Sequence, residues 1–148
     1  MTEDEVLYSA TLVIFGGAFE PSVVTRMLGW EPSQAWRKGD RRSFTRADGT
    51  EHFFDSHHEW SGWKLWLDEP QTQRDLLEQL QYWAELLRPK AANIRNLRDQ
   101  GTTVELNCCV NTSGSAVAHV PSALQAEFGA WGVDLDITFY AHAVRPSH

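Results

Sequence analysis

Cysteine is nearly missing from this chain. Cys108 and Cys109 are the only two in 148 residues, and they are sequence neighbours. Adjacent strand residues point to opposite faces, so the pair reads as two small, buried or half-buried residues in a reducing compartment, not as a disulfide framework. No apolar run reaches the ~18 residues of a membrane-spanning helix. The start, Met1-Thr2-Glu3-Asp4-Glu5, is acidic and lacks the apolar segment of a signal peptide, so the expected location is cytoplasmic, with no membrane partner. Positive charge is also scarce. Thirteen Lys and Arg stand against 20 Asp and Glu, a formal net charge of −7. General nucleic-acid binding needs cations to replace counterions along the phosphates, so it is not expected, whereas a basic partner is left open. There is no P-loop, G-x-G-x-x-G, H-E-x-x-H or G-x-S-x-G, which argues against the common enzyme chemistries.

Aromatic residues are abundant, including seven tryptophans. These are large, rigid packing units, most of them expected in the core. The length suits one domain spanning residues 1–148. One arrangement occurs twice. The alternating run Thr11-Leu12-Val13-Ile14-Phe15 leads to Pro21-Ser22 and Trp30; Thr103 to Cys108 leads to Pro121-Ser122 and Trp131. Each reads as strand, loop, helix start, short helix and aromatic stop.

Between the copies, Ser33–Asp40 reads as a turn or short strand and Arg41–Thr50 as a polar stretch with an Asp48-Gly49 turn. Glu51–Asp55 and Trp60–Leu67 read as a hairpin. Trp63, Leu65 and Leu67 share one face; Trp60, Gly62, Lys64 and Trp66 share the other, and both faces are expected to be at least partly covered. A long helix is expected from near Pro70, with Leu76, Leu77, Leu80, Trp83, Ala84 and Leu87 as its apolar stripe. Pro89 either kinks it or divides it in two. Thr103–Val110 reads as a strand. Ser122 with Gln125 fits a capping box, Leu124, Phe128 and Trp131 mark the next helix face, and Asp134–Ala143 closes the chain as a strand. The expected fold is α+β: a mainly antiparallel or mixed sheet, helices on one face, and a ferredoxin-like internal pseudo-repeat.

The segment from Phe19 to Pro32, with Leu28-Gly29 and Pro32, followed by Trp36-Arg37-Lys38-Gly39-Asp40, resembles a bacterial family known as domain-of-unknown-function family 4279. Trp60, the Leu86-Leu87-Arg88-Pro89-Lys90 segment and the final Leu135-Asp136-Ile137 strand are also similar to it. The resemblance implies a compact bacterial α+β domain, and it makes Trp36–Asp40 a signature of the fold or of its site. It implies no catalytic residue.

Five cations, Arg37, Lys38, Arg41, Arg42 and Arg46, fall within ten residues of an otherwise acidic chain. Arginine offers a planar fork for an anion, and Gly39 allows close backbone approach. Trp36, Arg37, Lys38, Asp40, Arg41 and Trp60 are therefore the candidate ligand- or partner-binding residues. The competing reading is a loop in which Asp40 pairs locally and Trp36 plugs the core. His52, His57, His58 and Glu59, with His119 or His142 joining, match no metal-ligand spacing, so no metal or other cofactor is expected. Catalysis by Cys108 or Cys109 is not expected of mid-strand residues. Glu51, Asp55, Glu59 and Asp68 fit a hairpin rim as well as acid–base work. The expected function is a non-enzymatic binding module, of the immunity or partner-regulating type, for an unknown protein or small anionic ligand. The alternative is a small enzyme or ligand-binding domain acting on a phosphorylated or nucleotide-like molecule.

Overall fold

Alternating apolar residues build the first strand, and the elements follow in order: β1 (Leu7–Phe15), α1 (Pro21–Leu28), β2 (Gln34–Trp36), β3 (Arg41–Thr45), β4 (Glu51–His57), β5 (Gly62–Leu65), α2 (Glu69–Thr72), α3 (Leu76–Leu87), α4 (Ala91–Asp99), β6 (Thr103–Thr112), α5 (Ser122–Trp131) and β7 (Val133–Ala141). The computed structural model describes residues 6–141. Met1–Glu5, His142 and the end of the expected closing strand lie outside the described residues.

Five strands form one mixed sheet in the order β2-β5-β1-β6-β7. All neighbours are antiparallel except β6 and β7, which the α5 crossover makes parallel. The central pairing runs the full length of β1, from Leu7↔Asn111 to Phe15↔Thr103. Period-two alternation decides the layering. Ala10, Leu12 and Ile14 of β1 and Val104, Leu106, Cys108 and Val110 of β6 are buried. Helices α1, α3, α4 and α5 pack on that face through Val24, Leu28, Leu80, Trp83, Leu87, Ile94, Leu97, Leu124 and Phe128. The Trp83 indole N–H donates to the Ala10 carbonyl at 2.9 Å, fastening α3 to β1. The opposite face carries Thr11, Asn107, Glu105 and Asp136, and no helix among the described residues packs over them.

Several boundaries differ from the sequence reading. The long helix begins at Leu76, where the Asp75 carboxylate accepts from the Glu78 N–H at 2.8 Å; α2 is a separate turn around Pro70. Pro89 sits in a 3₁₀ turn, Arg88–Lys90, so α3 and α4 are two abutting helices. The Ser122–Gln125 capping box does not form. Pro121 occupies the cap position in extended conformation, and the Gln125 amide donates instead to the Val120 carbonyl at 2.8 Å. The expected 51–67 hairpin is replaced by another. β4 pairs with β3, while β5 enters the large sheet between β2 and β1. Residues 41–45 form a strand although they lack alternating hydrophobicity, because this two-stranded ribbon projects into solvent and has no core to impose a pattern.

Helices α1 and α5 both begin at a Pro-Ser step and both end on a left-handed glycine, Gly29 (φ 76°) and Gly132 (φ 80°). The aromatic residue follows the glycine in one copy, as Trp30, and precedes it in the other, as Trp131.

Candidate binding cleft

The Trp36–Asp40 segment is a clamp. Gly39 adopts φ 90°, which suits glycine, and closes a turn in which the Asp40 N–H donates to the Arg37 carbonyl at 3.1 Å. The Asp40 carboxylate accepts from the Arg37 N–H at 2.8 Å. Gly39 and Asp40 exchange backbone bonds with His58, and the Lys38 N–H donates to the Ser61 hydroxyl at 3.0 Å. Trp36 lies flat on Gly62, where any side chain would occupy the space of the indole. Its indole N–H donates to the Trp60 carbonyl at 3.0 Å. The His58 ring stacks on it at 4.5 Å, and the Lys64 ammonium sits 5.5 Å from its centroid.

The cations of this region are largely engaged. Arg37 pairs with Glu20 at 2.7 Å across an exposed surface, and that hydrogen bond, then the Glu20 charge, raises the guanidinium's pKa. Arg41 donates to the Phe54 carbonyl at 2.7 Å and to Asp55 at 3.4 Å, and lies over the Phe53 ring. Arg46 meets His52 at 3.0 Å. Lys38 and Arg42 form no ion pair among the described residues.

From the turn at 37–40, β2 and β3 diverge, leaving a cleft of about 700 Å³ between the sheet edge and the ribbon. One wall is Ser33, Gln34, Ala35 and Trp36, with Trp66 beside them; the other is Ser43, Phe44 and Thr45, with Glu51 and Phe53 from β4. Asp40, Arg41 and His58 form its closed end. Trp66, Phe44 and Phe53 are large apolar residues left 52%, 46% and 48% exposed. Burial, then the nearby Arg42 charge, pushes the His58 pKa down, favouring a neutral imidazole.

Of the six residues singled out from sequence, Trp36, Asp40 and Arg41 line this cleft. Arg37 borders a smaller hollow behind it with Pro21 and Ser22. Lys38 and Trp60 line neither. Trp60, just before β5, is 43% exposed and packs on Phe15; the outer face of β5 is partly covered, with Gly62 buried under Trp36 and Trp66 left exposed beyond the strand. Sequence reasoning did not find Phe44, Phe53, Trp66, Glu51 and His58 as one group. Exposed aromatic residues in two polar strands were the available signal.

The remaining candidates fall apart in space. His52 packs between Phe44 and Phe54 on the ribbon, whereas His58 stacks on Trp36. Among the described residues no group of three or more His, Cys, Asp or Glu is placed to hold a metal ion. Cys108 is buried, which pushes its thiol pKa up to about 12, and it lies in the helix-covered core. No helix among the described residues is long and apolar enough to cross a membrane.

One family model matches the chain, over residues 6–142; it is described as a domain of unknown function, DUF4279. No curated protein and no solved structure gives a match.

Proposed function

The chain belongs to the DUF4279 family, and from that premise we propose that it is a non-enzymatic binding module whose site is the cleft between β2 and the β3–β4 ribbon. One observation carries this reading: three large aromatic residues stand half exposed around a single cleft, with polar groups at its closed end. Exposed apolar surface rimmed by polar groups marks interaction sites, because leaving it in water costs free energy that a partner recovers. The partner is another protein. A small anion is less favoured, since Arg37, Arg41 and Arg46 are already held by groups of the chain and Asp40 and Glu51 face the cleft. A net charge of −7 supports a basic partner, the pattern of an inhibitor or regulator.

A second reading, an enzyme acting on an anionic small molecule, draws on one feature, the neutral-leaning His58 beside Asp40 and Arg41 in the same cleft.

The test is a small-fragment screen read by NMR on the tryptophan indole N–H signals. Binders should shift Trp36 and Trp66 and lose at least tenfold in affinity with Phe53→Ala. Convergence of the binders on the neighbouring hollow, which shares Trp66 but is otherwise lined by Trp30, Tyr82 and Trp83, seen as shifts of Trp30 and Trp83 without Trp36, would overturn the site. Turnover of a phosphorylated substrate, abolished by His58→Gln, would favour the second reading.

A further inference from the structure

A strand that contributes consecutive residues to a cavity wall presents its edge, because alternate side chains face opposite ways. β2 and the residue before it contribute Ser33, Gln34, Ala35 and Trp36, and β3 contributes Ser43, Phe44 and Thr45. β4 contributes Glu51 and Phe53, the cross-strand partners of Thr45 and Ser43, so one face of the ribbon also turns to the cleft. β2 is the terminal strand of the five-stranded sheet, paired on its other side with β5; β3 is paired only with β4. Two strand edges without strand partners among the described residues therefore border the same cleft. Neighbouring strands lie about 4.8 Å apart, so a strand added to either edge would lie in the cleft, and one that fits between them would bond to both.

We propose that the cleft takes an extended peptide segment of a partner protein, which adds as a strand between β2 and β3 and joins the ribbon to the main sheet. This rests on the cleft being the binding site and names its occupant. Recognition has two parts. Main-chain hydrogen bonds to both edges supply affinity, and alternate side chains of the peptide supply specificity. Those turned inward meet Trp36, Phe53 and Trp66 and should be apolar. The charged groups of the cleft are Asp40, Glu51 and Arg41, and the arginine is bound to the Phe54 carbonyl and Asp55. The balance is acidic, so the segment should alternate apolar residues with lysine or arginine. The opposite edge of the sheet, β7, faces no second strand among the described residues, so an added strand there would be bonded on one side only.

The experiment is selection of random twelve-residue peptides displayed on phage against the whole protein, followed by titration of synthetic binders. The expected peptides alternate apolar and basic residues and lose at least tenfold in affinity with Trp66→Ala. N-methylation of their backbone at every second residue should abolish binding in at least one of the two possible phases, because methylation removes main-chain donors without changing side chains. Binders that need both Trp66 and Phe53, the latter tested by Phe53→Ala, yet tolerate N-methylation in both phases would overturn strand addition and leave the cleft standing as the site. Binders indifferent to Trp66→Ala would overturn both the cleft and its occupant. Failure to enrich any peptide over Trp66→Ala protein would overturn the peptide proposal, and the fragment screen then decides the site separately. Melting curves of the variant confirm that it is folded.

Discussion

Gly62 is in the main sheet because Trp36 needs its bare backbone. A methyl group there would collide with the indole, so Gly62→Ala should destabilise by about 1–3 kcal/mol through overpacking. Trp36→Ala should also destabilise, since it removes the packing and the bond to the Trp60 carbonyl. In the double variant the two losses should not add, because once the ring is gone the methyl has nothing to strike. Additive losses in denaturant melts would mean that the contact is not the cause. The neighbouring residues divide in the same way. Asp40→Ala removes the acceptor that closes the turn and should lower Tm measurably, whereas Arg37→Ala breaks only an exposed ion pair and should leave Tm unchanged. If Arg37→Ala unfolds the protein as badly as Trp36→Ala, the division is wrong. The Trp-Arg-Lys-Gly-Asp run was legible as special from sequence, but its work as a clamp was not. That depends on Gly62, His58 and Ser61, about twenty residues away, which no local pattern connects to it.

Elements that bury a face were the readable ones. The stripe of α3 appears in sequence because Leu80, Trp83 and Leu87 must all enter the core beside β1, and each is buried. Leu80→Ala should therefore cost about 2–5 kcal/mol, transfer and cavity terms together; an unchanged melting curve would place α3 outside the core. β1, β6 and α5 were legible for the same reason. The β3–β4 ribbon was not. Its residues are nearly all exposed, so nothing in their spacing separates strand from loop, and Asp48-Gly49 marks only the turn. The Asp48 carboxylate pins that turn by accepting from the Thr50 N–H at 3.0 Å and from its hydroxyl at 2.6 Å. One wall of the cleft is made from this unpatterned element, and the cleft was hidden in sequence for that reason.

On the scale of the whole molecule, the helices among the described residues lie on one sheet face, and β6 and β7 turn mainly polar side chains to the other. There Glu105 stands beside Asp134 in register, with Asp136 on the same face of β7. Burial first, then the charges of Asp136 and Asp134, raises the Glu105 pKa. A carboxyl group whose pKa is raised by folding holds its proton more tightly in the native state. Its contribution to stability is full below the unfolded value of about 4.3 and is lost as pH rises through the native value. Glu105→Gln should therefore raise Tm at pH 7, and the gain should vanish below about pH 4. A gain of the same size at both pH values would assign the effect to packing instead. The net charge of −7 was plain from composition, but the meeting of Glu105, Asp134 and Asp136 on one face follows from strand register, which composition does not record.

The central claim is that the free edges of β2 and β3 belong to one binding site. Amide hydrogen exchange, with and without a peptide selected against the protein, tests it most directly. The account predicts slowed exchange in both segments together, residues 34–36 and 41–45, with the outer edge of β7 unchanged. Slowed exchange along β7, or on the helices, with no change in those two segments would contradict it.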